Sequence, residues 1–220
     1  MHKDIWQKLL KFIIVLVIYI FFGKIVGELI SYFLADLLFF IGIIWFYRDN
    51  LKRDFENYKK YSGKEKLKIC LKSLGLIILV FIFMGLLTEV FVPDAANIGT
   101  ENNQIITSLF NTSLFYMLFK TLIFATVAEE LVFREAMSEI ITNKKLLVII
   151  SSLIYALMNI IYVDLTGNFL WLDFLQYFLF YIILSIAYVK YNNNIFVPIS
   201  IKFLYNLFQV IILIVMSVIG

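Results

Sequence analysis

The sequence predicts an all-α fold, a polytopic transmembrane helix bundle of about seven spans, and two observations carry that prediction. Of the 220 residues, 62% are apolar and the mean hydropathy is +0.92, whereas soluble domains run to about half apolar. The apolar residues also fall in runs that approach or exceed the roughly 18 residues a helix needs to cross a bilayer. The length fits one membrane domain over residues 1–220.

The elements follow in order. The N-terminal MHKDIWQKLLK before an apolar run imitates a signal peptide, but no small-x-small cleavage site follows, so an uncleaved first span is expected near 5–22. Gly23-Lys24 marks a break before a second span near 25–47. Residues 48–72 form the long polar stretch, with nine Lys/Arg against four Asp/Glu. Its Leu51, Phe55, Tyr58 and Tyr61 suggest a basic, amphipathic helix lying on the membrane surface. The third span, near 73–92, is closed by Pro93, and an acidic linker runs to Ser113. A fourth span covers about 114–141, a Thr142–Lys145 turn leads to a fifth at 146–163, and a Gly-Asn turn lies in the connection 164–173. The sixth span is about 174–189 and the seventh about 195–219, with Pro198 in its first turn, where a missing N–H costs little.

Charge bias sets the expected orientation. With the N-terminus in the cytoplasm, Lys3, Lys8, Lys11, the nine basic residues of 48–72, Lys144, Lys145 and Lys190 share that side, and only Lys24 lies opposite. This predicts N-in, C-out and a basic face that favours anionic lipid headgroups. One cysteine, Cys70, excludes an internal disulfide and a cysteine metal site. One histidine, His2, sits in the N-terminal segment, which excludes a mechanism built on a buried imidazole. No cofactor, metal or nucleic-acid partner is expected.

Charges inside the spans are the candidate functional residues. A charge near the bilayer centre costs about 2.5–3.5 kcal/mol on insertion scales, so it persists when paired, hydrated or facing a cavity. The fourth span carries Glu129, Glu130, Arg134 and Glu135 in AEELVFREAM. Glu130 and Arg134 are i,i+4 neighbours and can pair. Glu129, about 100° round the helix, is then left free to face the interior and act as a general base on water. Alternatively the cluster ends the helix in the headgroup layer, with Glu135 and Glu139 solvated. Tyr155 and Asn159 share a face of the fifth span, as do Lys202 and Asn206 in the seventh. Lys202 either snorkels to the basic side or needs an anion, for which Glu129 and Glu130 are the nearest. Glu28 and Asp36 fall on one face of the second span and either line the same cavity or reach the interface. A carrier would use such charges along a path, but broken helices and inverted repeats are not apparent.

Glu129-Glu130-x-x-x-Arg134, an aromatic-x-x-x-polar pair some twenty-five residues on, and a polar-x-x-x-Asn pair after a proline resemble the CPBP family of CAAX proteases and bacteriocin-processing (Abi) proteins. The resemblance covers about 114–215. It implies a helical intramembrane endopeptidase fold, in which Glu129 falls on the catalytic glutamate, Glu130 and Arg134 on its supporting pair, and Asn206 on an oxyanion-stabilising asparagine. Tyr155 takes the place of a phenylalanine at a substrate-binding position. Asn159 and Lys202 stand where the family places histidines. Asparagine cannot move a proton, and an ammonium facing Glu129 makes it a poorer base. The resemblance therefore implies a degenerate, non-catalytic member acting in bacteriocin self-immunity or regulation of a membrane partner. The alternative is an active endopeptidase that cuts a membrane-embedded or lipidated peptide with Glu129 as general base. Lys-, Asn- and Ile-rich usage points to a bacterial plasma membrane.

Overall fold

The computed structural model describes residues 2–91, 108–110, 112–160 and 170–219. They are all-helical: α1 (His2–Leu29), α2 (Tyr32–Phe46), α3 (Arg48–Lys59), α4 (Gly63–Phe91), α5 (114–138), α6 (Lys144–Ile160), α7 (Leu170–Lys190) and α8 (Phe196–Ile219). The protein is a polytopic helical membrane bundle. Among the described residues, α1, α4, α7 and α8 are long and apolar enough to cross a bilayer, and α2 is a shorter apolar helix. Large apolar side chains such as Leu79, Ile82, Phe83 and Leu86 of α4 point outward, the pattern of a bundle whose solvent is hydrocarbon.

Several boundaries differ from the sequence expectation. The first break falls at Ile30-Ser31, not at Gly23-Lys24. Gly23 stays helical, and Ser31 takes the extended backbone of a helix start. A Cβ on Gly27 would collide with the Tyr32 ring, so the tight α1–α2 hairpin requires glycine there. The basic stretch 48–72 is two helices. They part at Ser62, whose Oγ accepts from Glu65 N (3.2 Å) while Glu65 Oε2 accepts from Ser62 N (2.8 Å). This reciprocal capping box starts α4 at once, so residues 63–72 extend a spanning helix. Asn143 Oδ1 likewise caps α6, accepting from Lys145 N and Leu146 N. The linker 93–113 and the connection 164–173 fall mostly outside the described residues.

The turn after α7 uses asparagine where glycine is usual. Asn192 and Asn193 have φ of 59° and 55°, and Asn193 N donates to Tyr188 O (2.9 Å), the closing bond of a Schellman ending. Asn194 then opens α8, its Oδ1 accepting from Phe196 N (3.0 Å).

Helix α5 is the axis of the bundle. It alternates α-helical stretches with two π-helical turns, Phe119–Phe124 and Leu131–Glu135. It is flanked by α1, α2, α6 and α8. Helix α6 packs along α7 through small residues: Ser185 Oγ lies 3.2 Å from both Ser151 Oγ and Ser152 Oγ, and small polar residues at a membrane interface allow that close approach.

The sequence suggested a helix lying on the membrane surface by its apolar residues, and in the structure α3 is also held to the bundle by polar contacts. Its buried residue is Asp54, whose Oδ2 accepts from Ile195 N (3.0 Å) and whose carbonyl accepts from Asn194 Nδ2 (2.7 Å). Asn50 Nδ2 and Arg53 Nη2 reach Glu135 Oε1 at 2.5 and 3.3 Å. Tyr58 stacks on Phe196 and bonds Ser200 Oγ (2.9 Å), and burial pushes its phenol above the ordinary tyrosine range. The helix is thereby clasped to the end of α5 and the start of α8. Glu135 is buried, not solvated, and Glu139 is half-buried and paired with Lys11 (2.9 Å). Ending the helix in solvent therefore does not describe the AEELVFREAM cluster.

Candidate functional site

The site is built where α5, α6, α7 and α8 meet. Glu130 and Arg134, four residues apart on α5, form an ion pair in which both side chains are wholly buried. Arg134 is held on its other edges by α7: Nε donates to Ser185 Oγ (3.2 Å), Nη2 donates to Tyr181 O (3.2 Å), and the guanidinium lies over the Tyr181 ring, 4.2 Å from its centroid. Five fixed donors suit arginine to such a multi-edged position.

Glu129 is not left free, which corrects the sequence expectation. Lys202 extends from α8 into the interior and places Nζ 2.5 Å from Glu129 Oε2 and 3.7 Å from Glu130 Oε1. Of its two expected fates, snorkelling is excluded because the residue is 2% exposed. The four charges sum to zero, so each cation neutralises a carboxylate in a region that water does not screen.

Two tyrosines wall this quartet. Tyr155 of α6 and Tyr181 of α7 stack face to face with 10° between their planes. Lys202 Nζ lies 5.1 Å from each ring centroid, within cation–π range. Tyr181 Oη donates to Glu130 Oε1 (3.2 Å) and accepts from Lys202 Nζ (3.2 Å), and the Tyr155 hydroxyl is directed at Glu129. Tyr181 was missed in the sequence. The signal was present: Tyr181, Ser185 and Tyr188 recur at i, i+4 and i+7 in an apolar helix, a polar stripe that needs partners.

The remaining two residues face other duties. Asn159 Nδ2 donates to Tyr155 O (2.9 Å), turning back on its own helix. Asn206 Nδ2 donates to Thr121 O (2.8 Å) and contacts Thr126 Oγ1 (3.1 Å). Thr121 lies in the first π-helical turn, where the wider backbone leaves a carbonyl for an outside donor. The structure thus brings Glu129, Glu130, Arg134, Tyr155 and Lys202 together, and it commits the amides of Asn159 and Asn206 to backbone carbonyls.

Glu28 and Asp36 do not share a cavity. Glu28 is exposed at the end of α1, whereas Asp36 Oδ2 accepts from Lys120 Nζ and Tyr116 Oη, both at 2.7 Å. An open groove of about 460 Å³ runs between α5 and α8, lined by residues including Thr126, Val127, Ile199 and Phe203. Glu129, Glu130 and Lys202 are not part of its lining.

A comparison with family models matches residues 111–208 to the Rce1-like family, described as type II CAAX prenyl endopeptidase Rce1-like. No curated protein and no solved structure gives a significant match. The matched stretch runs from the start of α5 to the middle of α8 and contains every residue of the buried quartet. Over this core, residues 111–208, the chain is similar to the Rce1-like family of CAAX-protease-like (CPBP) membrane proteins.

Proposed function

We propose that this protein is a non-catalytic CPBP-type membrane protein of the bacterial plasma membrane, acting in bacteriocin self-immunity or in regulation of a membrane partner. The observation that carries the proposal is the contact between Lys202 and Glu129 (2.5 Å). A glutamate that activates water needs a carboxylate lone pair with a water against it. Here that lone pair accepts from an ammonium, and the ammonium occupies the space next to it. Glu130 is taken by Arg134, and Asn159 and Asn206 are engaged with carbonyls. Losing one oxyanion donor costs about 10²–10³ in rate, and no imidazole stands at either family position.

In this proposal the quartet serves the fold, holding three helices in register, and the working surface is the outside of the bundle. The lysine-rich end faces the cytoplasm and draws anionic headgroups to it. The test compares the wild type with the charge-neutral double variant Glu129→Gln/Lys202→Gln in the purified, reconstituted protein. Wild type should leave a prenylated CAAX peptide uncut, and the double variant should keep the biological phenotype. Cleavage by wild type that disappears in Glu129→Gln would restore the endopeptidase assignment. A gain of cleavage in Asn159→His/Lys202→His would show that imidazoles are what the scaffold lacks.

A further inference from the structure

The first three turns of α4 carry a charge pattern that the buried site does not use. Lys64, Lys68 and Lys72 recur at i, i+4 and i+8 and are all exposed, so they form one row along the helix. Among the described residues, none of the three makes an ion pair or a hydrogen bond. Glu65 is turned away, bonded to Ser62 in the capping box, and Lys66 is turned the other way, over the Tyr58 ring. The row is therefore a line of cations without a counter-ion.

Helix length places this row in depth. Helix α4 has 29 residues, about 43 Å at 1.5 Å per residue. Its apolar part from Ser73 to Phe91 is about 28 Å, which matches a hydrocarbon layer of about 30 Å. The lysines then stand at the edge of the hydrocarbon and in the headgroup layer above it. Leu71 lies beside this row, and directly below it Gly75 and Leu79 continue the same face at i+3 and i+7 from Lys72. Leu71 and Leu79 are exposed, and a Cβ built on Gly75 would meet nothing within 4 Å. A cationic ladder thus runs into an open apolar track.

We infer that the Lys64–Lys68–Lys72 row of α4, continued by Leu71, Gly75 and Leu79, is a binding site for an anionic phospholipid, with the phosphate on the lysines and one acyl chain along the track. The site deepens the general preference for anionic lipid stated under the proposed function and rests on the same orientation. Charge complementarity selects the headgroup, and the apolar track selects a lipid over a soluble anion. The track gains from a glycine because a side chain there would lift the acyl chain from the helix.

The experiment is native mass spectrometry of the full chain released from vesicles of equimolar phosphatidylglycerol and phosphatidylcholine. Wild type should carry phosphatidylglycerol in preference. Lys64→Gln/Lys68→Gln/Lys72→Gln should lower that preference at least about tenfold, given several-fold per surface lysine. The all-arginine version of the same triple should keep it, which guards against a variant that merely inserts wrongly. Gly75→Leu should weaken retention with every charge in place. A control triple, Lys144→Gln/Lys145→Gln/Lys190→Gln, removes the same charge elsewhere and should leave retention intact. If the ladder triple retains phosphatidylglycerol like wild type, the site is overturned. If both triples lose it equally, the site is overturned while the general attraction stands. Displacement by soluble polyglutamate, without any lipid preference, would assign the ladder to an acidic protein partner and overturn the lipid assignment.

Discussion

Lys202 Nζ bridges two adjacent carboxylates, 2.5 Å from Glu129 and 3.7 Å from Glu130, although it arrives from a helix more than seventy residues further along the chain. Removing one partner from a buried ion pair leaves the other uncompensated, at a cost of about 3–5 kcal/mol. Lys202→Gln, and likewise Glu129→Gln, is expected to destabilise the protein by that order. Glu129→Gln/Lys202→Gln should recover most of the loss, because no unpaired charge remains. Denaturant titration of the four members of this double-mutant cycle in micelles measures the coupling. Strictly additive losses would show that the two side chains do not interact.

Asn206 makes a second prediction separable from the first. Its amide satisfies Thr121 O in the first π-helical turn of α5. Asn206→Ala should cost about 0.5–1.5 kcal/mol, the net worth of one hydrogen bond, because Thr126 Oγ1 still donates to Thr121 O (3.2 Å). Asn206→Asp should be worse, since a carboxylate cannot donate to that carbonyl. Equal stability of the alanine variant and wild type in the same titration would show that the Thr126 hydroxyl alone satisfies the carbonyl.

The α3 clasp predicts a local effect. Asp54 joins α3 to the start of α8 through Ile195 N and Asn194. Asp54→Ala should raise amide hydrogen exchange across Arg48–Lys59 by roughly tenfold or more, corresponding to loss of about 1.5–3 kcal/mol of charged hydrogen bonding. Exchange in α6 and α7 should change little. Protection lost uniformly over the bundle would mean that the clasp and the core open together.

Gly27 tests the α1–α2 turn. A side chain there meets the Tyr32 ring, and overpacking costs about 1–3 kcal/mol. Gly27→Leu should destabilise by that amount, and Gly27→Leu/Tyr32→Ala should restore part of it. By contrast Gly42, with open space at its Cβ position, should accept alanine without loss.

How much of this was legible beforehand depended on the range of the interaction. The pairing of Glu130 with Arg134 was readable because it is local, one turn of one helix. The partner of Lys202 could be named only as a choice, because sequence periodicity gives the face of a helix and not which helix it meets. The α1–α2 break was misplaced since glycine and lysine within a membrane helix look like a turn in composition, whereas the actual break rests on Ser31 geometry and a glycine–ring contact. Glu135 could be read either inside the span or solvated at its end, and its burial beside Asp54 arises only when α3 folds back on the end of α5 and the start of α8. The α4 capping box at Ser62 and Glu65 was written in the chain and was overlooked in favour of the longer basic run.

The π-helical turns of α5 make the number of residues in that helix as consequential as their identity. Each such turn holds one residue more than a regular turn, so deleting a single residue within Phe119–Phe124 would let that turn relax to a regular one and keep the later residues near their present bearing. The same deletion in the regular stretch Ala125–Glu130 would rotate everything after it by about 100° and swing Arg134 away from the helix that holds it. Tolerance to a change of length is therefore uneven along this helix and greatest at its π-helical turns.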